Sequence, residues 1–222
     1  MKYGVEAEKY ILVANTYQKI IQFFSFGCLL VAGYQLFFLT ERVFVGLLVL
    51  AAITGLYALP VLPKNKNFRS FSGLKILIVA AVWAGTTVIL PVISQLDVIS
   101  WNVKIETVQR FLFVLILLVP FEIRDLKYDS ASLKTLPQRV GVKGAKRIGY
   151  CWTVLFYAIT FLKTDLDITH IMVKTILFVV LMLMIFKTEL NQKKYFSSFW
   201  VEAIPLLWWV LFVISIKYSI LH

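Results

Sequence analysis

The sequence is poor in charge for its length. Charged residues make up 16% of its 222 residues and hydrophobic residues 60%, whereas a soluble domain is about a quarter charged and about half apolar. So large an excess of apolar side chains has to face lipid, which excludes an ordinary soluble domain and indicates a polytopic membrane protein. The apolar runs are continuous and do not alternate with polar residues, which excludes a transmembrane β-barrel.

Cysteine and familiar catalytic motifs are also scarce. Cys28 and Cys151 are the two cysteines, and they provide neither a disulfide framework nor metal-ligand spacing. The first 20 residues lack the layout of a cleavable signal peptide, because their apolar part is short and carries acids. We find no Ser/His/Asp or Cys/His arrangement and no glycine-rich phosphate loop, so the sequence gives no support to the corresponding enzyme classes.

Acidic residues are outnumbered by basic ones, 12 to 23, and the formal net charge is +11. The basic residues cluster in short loops between apolar runs. Anionic lipid headgroups or a phosphorylated substrate therefore suit them better than a nucleic acid.

Seven apolar runs approach or exceed the length needed to cross the hydrocarbon core, which takes about 20 helical residues. We predict a single all-α transmembrane domain over 1–222, with a cytoplasmic loop at 124–145 between the fourth and fifth spans. The predicted spans are 20–39, 43–62, 74–96, 106–123, 146–162, 170–186 and 199–216.

The basic residues also predict the orientation. Seventeen of the 23 lie at the N-terminus or in the second, fourth and sixth loops, and the positive-inside rule places these segments in the cytoplasm. We expect an integral protein of the cell (inner) membrane. Lys174, inside the sixth span, is expected to snorkel outward, and Trp200, Trp208 and Trp209 are expected at the membrane interface or facing lipid.

The most informative stretch is PFEIRDLKYDSASLKTLPQRVG, residues 120–141. If the fourth helix continues past the membrane surface, Glu122, Asp125 and Asp129 share one helical face. Carboxylates this close repel unless a cation lies among them, and their oxygens suit Mg²⁺. Nearby basic residues would then bind phosphate: Arg124, Lys127, Lys134 and Arg139. The alternative is a solvated juxtamembrane helix with its own ion pairs.

This stretch resembles the second aspartate-rich motif of the UbiA superfamily of intramembrane prenyltransferases, D-x-x-D-x-x-x-D followed by T-L-P and a glycine. Asp125 and Asp129 match the second and third acids, and Glu122 stands at the first. Residues 135–137 supply T-L-P, and Gly141 supplies the glycine. Three weaker likenesses to the family lie elsewhere in the sequence. They are Tyr57 with Pro60, the A-x-W-A…T…L-P pattern at 81–91, and the segment 195–205.

The resemblance implies a helical bundle around a central cavity, with possible cavity residues at Tyr57, Trp83, Thr87 and Glu202. It also implies Mg²⁺-dependent loss of diphosphate from a polyprenyl diphosphate, after which the allylic cation alkylates a small or lipidic acceptor. Asp125 and Asp129 would be the catalytic residues and, with Glu122, the metal ligands.

The chain departs from the family pattern in one important respect. The first aspartate-rich motif and the helices around it are missing, since the first aspartate of the sequence is Asp97. We expect either a sequence that starts within a longer protein or a divergent branch that has lost the first metal site. A second hypothesis therefore stands beside the enzyme: a non-catalytic relative that binds an isoprenoid lipid or a partner protein.

Overall fold

Helices form nearly all of the chain that the structure describes. The structure is a computed structural model that describes residues 2–58, 73–95, 98–129, 135–193 and 195–221. Within these ranges there are eight α-helices and no β-strand, which confirms the all-helical prediction. The helices are α1 (Lys2–Leu36), α2 (Glu41–Ala58), α3 (Leu74–Ala84), α4 (Leu90–Gln95), α5 (Trp101–Asp125), α6 (Leu136–Ala158), α7 (Ile168–Lys187) and α8 (Ile204–Leu221).

Three short segments extend these helices. A π-helical segment, Gly85–Ile89, joins α3 to α4, so that both form one continuous rod. A 3₁₀ segment, Ile159–Leu162, prolongs α6, and a second π-helical segment, Phe196–Val201, precedes α8.

Four helical segments in the described part of the chain are long and apolar enough to cross a membrane. They are Tyr17–Leu36, Leu74–Gln95, Ile168–Lys187 and Phe196–Ser215, and they correspond to the first, third, sixth and seventh predicted spans. This supports the expected membrane protein. The other three predicted spans fall on α2, α5 and α6.

The chain forms two units, residues 1–44 and 45–222. In the first unit, residues 17–36 of α1 expose large apolar side chains on successive positions and on every side. Phe23, Phe24 and Phe26, for example, are 78%, 68% and 62% exposed. A helix that is apolar all round is suited to a lipid environment.

In the second unit, α5 is the central helix and packs against α3, α6 and α7. Its Phe113 and Ile116 are buried with Phe156 of α6 and Leu181 of α7 in the main apolar core. Trp208 of α8 joins this core, with its ring centroid 4.6 Å from that of Phe113. The expectation that Trp208 faces lipid is therefore wrong, because its ring completes an aromatic cluster. Trp200 and Trp209, by contrast, are exposed, and their place at the interface or against lipid stays a prediction.

The start of α6 has a local explanation in its own sequence. Thr135 is the N-cap residue, Pro137 lies in the first turn, and the Gln138 side chain accepts a hydrogen bond from the Thr135 N–H at 3.0 Å. These residue types are favoured at those positions. Gly141 then kinks the helix with φ 72° and ψ 167°, a conformation confined essentially to glycine. The helix thus begins at Leu136, well before the predicted span at 146.

Candidate functional site

Only two of the three acids of the 120–141 stretch lie on the helix, Glu122 and Asp125, which are three residues apart on α5. α5 ends at Asp125, and the Asp125 carbonyl accepts hydrogen bonds from the N–H groups of Tyr128 and Asp129 at 2.8 and 2.9 Å. The helix therefore passes the predicted end at 123 by two residues but does not continue through Asp129, as a face shared by all three acids would require. Asp125 and Asp129 are instead the ends of one tight turn, residues 125–129, which we call the acidic turn.

Glu122 is already paired with a lysine of the protein. It is 5% exposed, and its Oε1 lies 3.2 Å from Nζ of Lys75, at the start of α3. This ion pair balances the charge of the carboxylate and ties α3 to α5. Glu122 is thus engaged before any ligand arrives.

Asp125 belongs to a polar network that links the end of α5 to the segment before α8. Arg124 donates to both Asp125 carboxylate oxygens, at 2.7 and 3.3 Å, and to Ser197 Oγ at 3.5 Å. Ser197 donates to Gln192 Oε1 at 2.7 Å, and Gln192 donates to the Pro120 carbonyl at 2.7 Å. The network holds the guanidinium of Arg124 beside the acidic turn.

Asp129 is the acid with an unused oxygen. Its Oδ2 is buried and has no hydrogen-bond partner within the described residues, while its backbone carbonyl accepts weakly from Gln138 at 3.4 Å. A buried carboxylate oxygen without a donor is costly unless a cation or proton satisfies it.

The predicted phosphate-binding residues have different surroundings. Lys127 on the acidic turn is exposed and hydrogen-bonds to the Asn191 side chain. Arg139 is exposed on the first turns of α6. Lys134 lies outside the described residues. Lys127 thus lies on the acidic turn, and Arg124 lies on α5 directly before it.

A Mg²⁺ ion at the acidic turn would have to use mainly Asp129, whose Oδ2 has no partner among the described residues, because both carboxylate oxygens of Asp125 already accept hydrogen bonds from Arg124. Mg²⁺ is commonly held in proteins by one or two carboxylates together with substrate phosphates and water, and the free Oδ2 of Asp129 is a donor of the right kind. Glu122 fits less well, because a metal would have to displace Lys75. Across the ranges described, no group of three or more His, Cys, Asp or Glu side chains could hold a metal by itself.

A cavity of about 880 Å³ lies between the C-terminal half of α7 and residues 189–204. Its walls are mainly apolar, and Asn191 and Gln192 line it on the side that contacts the acidic turn and α5. The apolar walls include Leu183, Met184, Phe196, Trp200 and Ile204. The cavity is therefore amphipathic and adjoins the acidic turn.

The four residues suggested for a central cavity lie elsewhere or are not described. Trp83 and Thr87 are exposed, and the Thr87 hydroxyl donates to the Trp83 carbonyl at 2.7 Å. Glu202 is exposed directly after the second π-helical segment. None of these three lines the 880 Å³ cavity. The side chain of Tyr57 lies outside the described residues.

A second polar site, missed from the sequence, lies around Glu106 near the N-terminal end of α5. Its carboxylate is 2.5 Å from Lys163 Nζ, 3.2 Å from Lys174 Nζ and 4.0 Å from an Arg110 Nη. We call these four residues the Glu106 cluster. Lys174 is 5% exposed, so the expectation that it snorkels outward is wrong: its ion pair with Glu106 stabilises it inside the bundle. The signal was available, because ionisable residues inside apolar spans usually pair with one another.

No protein-family model, curated protein or solved structure gives a significant match to this chain. The likeness to the UbiA superfamily consequently depends on the residues quoted from the sequence.

Proposed function

We propose that this chain is a UbiA-like membrane protein that binds a polyprenyl diphosphate at the acidic turn and transfers its prenyl group to a small or lipidic acceptor. The proposal includes a seven-span bundle with the acidic turn on the cytoplasmic side. The observation that carries it is the placement of Asp125 and Asp129 at the two ends of one turn, where a buried Asp129 oxygen has no partner among the described residues.

The residues around the turn would have two roles, binding of the metal ion and binding of the phosphate oxygens. Asp125 and Asp129 would hold Mg²⁺, which when bound neutralises the charge of the departing diphosphate. Arg124, fixed by Asp125 and Ser197, would supply a planar cation for phosphate oxygens, and Lys127 a point charge beside it.

The neighbouring cavity would receive the isoprenoid chain. Leu183, Met184 and Phe196 on its walls offer apolar contact to a hydrocarbon chain. In this arrangement Glu122 is a positioning residue. Its ion pair with Lys75 holds α3 against α5 immediately before the turn.

The non-catalytic hypothesis keeps one specific observation in its favour. Thr135 and Pro137 start α6, and Gly141 kinks it. These structural roles explain the T-L-P and glycine elements without assuming a catalytic role for them. Under this hypothesis the turn and cavity bind an isoprenoid lipid and no transfer follows.

A transfer assay distinguishes the two hypotheses. The purified full chain, reconstituted in vesicles of bacterial lipid extract, is given radiolabelled farnesyl or geranylgeranyl diphosphate with and without Mg²⁺. We expect Mg²⁺-dependent transfer that the double variant Asp125→Asn/Asp129→Asn abolishes. Glu41→Gln, an exposed acid at the start of α2, is the matched control and should retain activity.

Three results would count against the enzyme. Transfer that survives the double variant removes the role of the two aspartates. Binding of the diphosphate without turnover favours the non-catalytic relative. Absence of both binding and turnover rejects the proposal.

A further inference from the structure

The Glu106 cluster carries more positive than negative charge. One carboxylate faces three cations, since Lys163, Lys174 and Arg110 all lie within 4.0 Å of Glu106. The side chains are largely shielded: Lys174 is 6% exposed, Lys163 20%, Glu106 24% and Arg110 26%. Excess charge in so shielded a place is expensive unless a counter-charge accompanies it.

One N–H group of the Arg110 guanidinium has no hydrogen-bond partner among the described residues. Its guanidinium carbon lies 3.9 Å from the centroid of the Trp208 ring, and such stacking fixes the plane of the guanidinium. Its nearest approach to Glu106, 4.0 Å, is too long for a hydrogen bond. Its Nε is buried and has no partner in the part of the chain that is described. A stacked guanidinium with unused N–H groups is well prepared to bind an oxyanion in bidentate fashion.

Lys163 is held in place by contacts between its own turn and the start of α5. The Trp101 indole donates to the Leu162 carbonyl at 2.8 Å, and Asn102 Oδ1 accepts from the Thr164 N–H at 3.0 Å. Asn102 also donates to the Asp165 carboxylate at 2.7 Å. Hydrogen bonds therefore hold the backbone on both sides of Lys163. Binding a ligand there costs little further conformational entropy.

Lys174 adds the most buried charge. Its Nζ lies 3.2 Å from Glu106 and 4.2 Å from the centroid of the Trp208 ring. The ring face offsets part of a positive charge, but Arg110 uses the same ring. Glu106 and Trp208 together leave the cluster with an unbalanced positive charge.

We propose that the Glu106 cluster is a binding site for a phosphate-type oxyanion, with Arg110 and Lys163 as its main ligands. The site is separate from the acidic turn, because Glu122 follows Glu106 by sixteen residues along the continuous helix α5, a distance of about 24 Å at about 1.5 Å per residue. The oxyanion has two sources, the headgroup of an anionic phospholipid or free inorganic phosphate.

The test uses the purified full chain in a neutral, phosphate-free detergent. One arm titrates inorganic phosphate at constant ionic strength and follows binding by calorimetry. The other adds phosphatidylglycerol or phosphatidylcholine and counts retained lipids by native mass spectrometry. Each arm is run for the unmodified chain, Arg110→Gln, Lys163→Gln and the control Lys104→Gln. Lys104 is an exposed lysine of the same helix outside the cluster.

We expect saturable binding in at least one arm, weakened about tenfold or more in the Arg110 and Lys163 variants, because each loses a charge-assisted contact. The control should bind like the unmodified chain. Phosphate binding identifies a free oxyanion, and selective retention of phosphatidylglycerol identifies a lipid headgroup.

Absence of binding in both arms overturns the proposal, and so does equal weakening in the Lys104 control. If Arg110→Gln does not fold, Lys163→Gln decides alone. Its lysine lies on the connecting turn beyond α6, at the edge of the cluster, and its loss leaves the stack of Arg110 on Trp208 in place. Unchanged binding in Lys163→Gln would also reject the site.

Discussion

The two partners of the ion pair between Glu122 and Lys75 differ in their access to water. The Glu122 side chain is 6% exposed and the Lys75 side chain 40%. Loss of Glu122 leaves a lysine that can turn into solvent, whereas loss of Lys75 leaves a buried carboxylate without a partner. The cost of breaking a pair depends mainly on the charge left behind.

We therefore predict an asymmetric effect on stability. Glu122→Gln should lower the free energy of unfolding by about 1 kcal/mol, and Lys75→Met by about 2–3 kcal/mol. Unfolding of the purified chain in mixed micelles measures both, and the double variant should recover part of the Lys75→Met loss. If the two single variants lowered the free energy of unfolding equally, the prediction would be contradicted. Glu122 would then have a partner besides Lys75.

Single residues were the hardest to predict from the sequence. The acids at 122, 125 and 129 were identified as a group, but their partners lie far along the chain or on a turn. Lys75 is 47 residues from Glu122, and Lys174 is 68 residues from Glu106. A sequence pattern contains spacing along one helix, and it contains no information about which helix packs beside it.

At the scale of the helices, runs of apolar residues predicted well where a helix lies along the chain, but they predicted the first and last residues of the helices poorly. α5 was placed correctly because its apolar core is continuous, but the predicted span, 106–123, is shorter than the helix at both ends, five residues at the start and two at the end. α6 was started too late because its first turns are rich in basic residues, which resemble a loop. Lys146, the first residue of the predicted span, instead lies about ten residues into α6 and donates to the carbonyls of Phe186 and Thr188 at the end of α7, at 2.8 and 2.9 Å.

The kink of α6 gives a prediction at this scale. A Cβ at Gly141 would meet no atom within 4 Å, so the cost of Gly141→Ala comes from its positive φ alone and should be about 1–3 kcal/mol. Gly55→Ala in α2, also free of close contacts, is the control and should be neutral or stabilising. Thermal unfolding of the two variants compares them, and a neutral Gly141→Ala would mean that α6 can straighten. In that case the family resemblance becomes the better explanation of the glycine.

The whole molecule raises the question of how helices with many charges cross a membrane. In α5 the uncharged stretch runs only from Phe111 to Phe121, about 16 Å at 1.5 Å per residue, which is shorter than a hydrocarbon core of about 30 Å. The ion pairs at both ends offer a solution, since Glu106 and Glu122 each face lysines of neighbouring helices or turns. Paired charges inside a bundle are tolerated where isolated ones are not.

A crossing α5 predicts that positions 104 and 143 lie on opposite sides of the membrane. Both are exposed lysines, one near the start of α5 and one on the early turns of α6. With Cys28 and Cys151 replaced by serine, Lys104→Cys should react with a membrane-impermeant thiol reagent on intact cells. Lys143→Cys should react only after permeabilisation, because the positive-inside rule places its segment in the cytoplasm. The reversed pattern would contradict the orientation but keep the crossing, while labelling of both positions from one side would show that α5 does not span the bilayer.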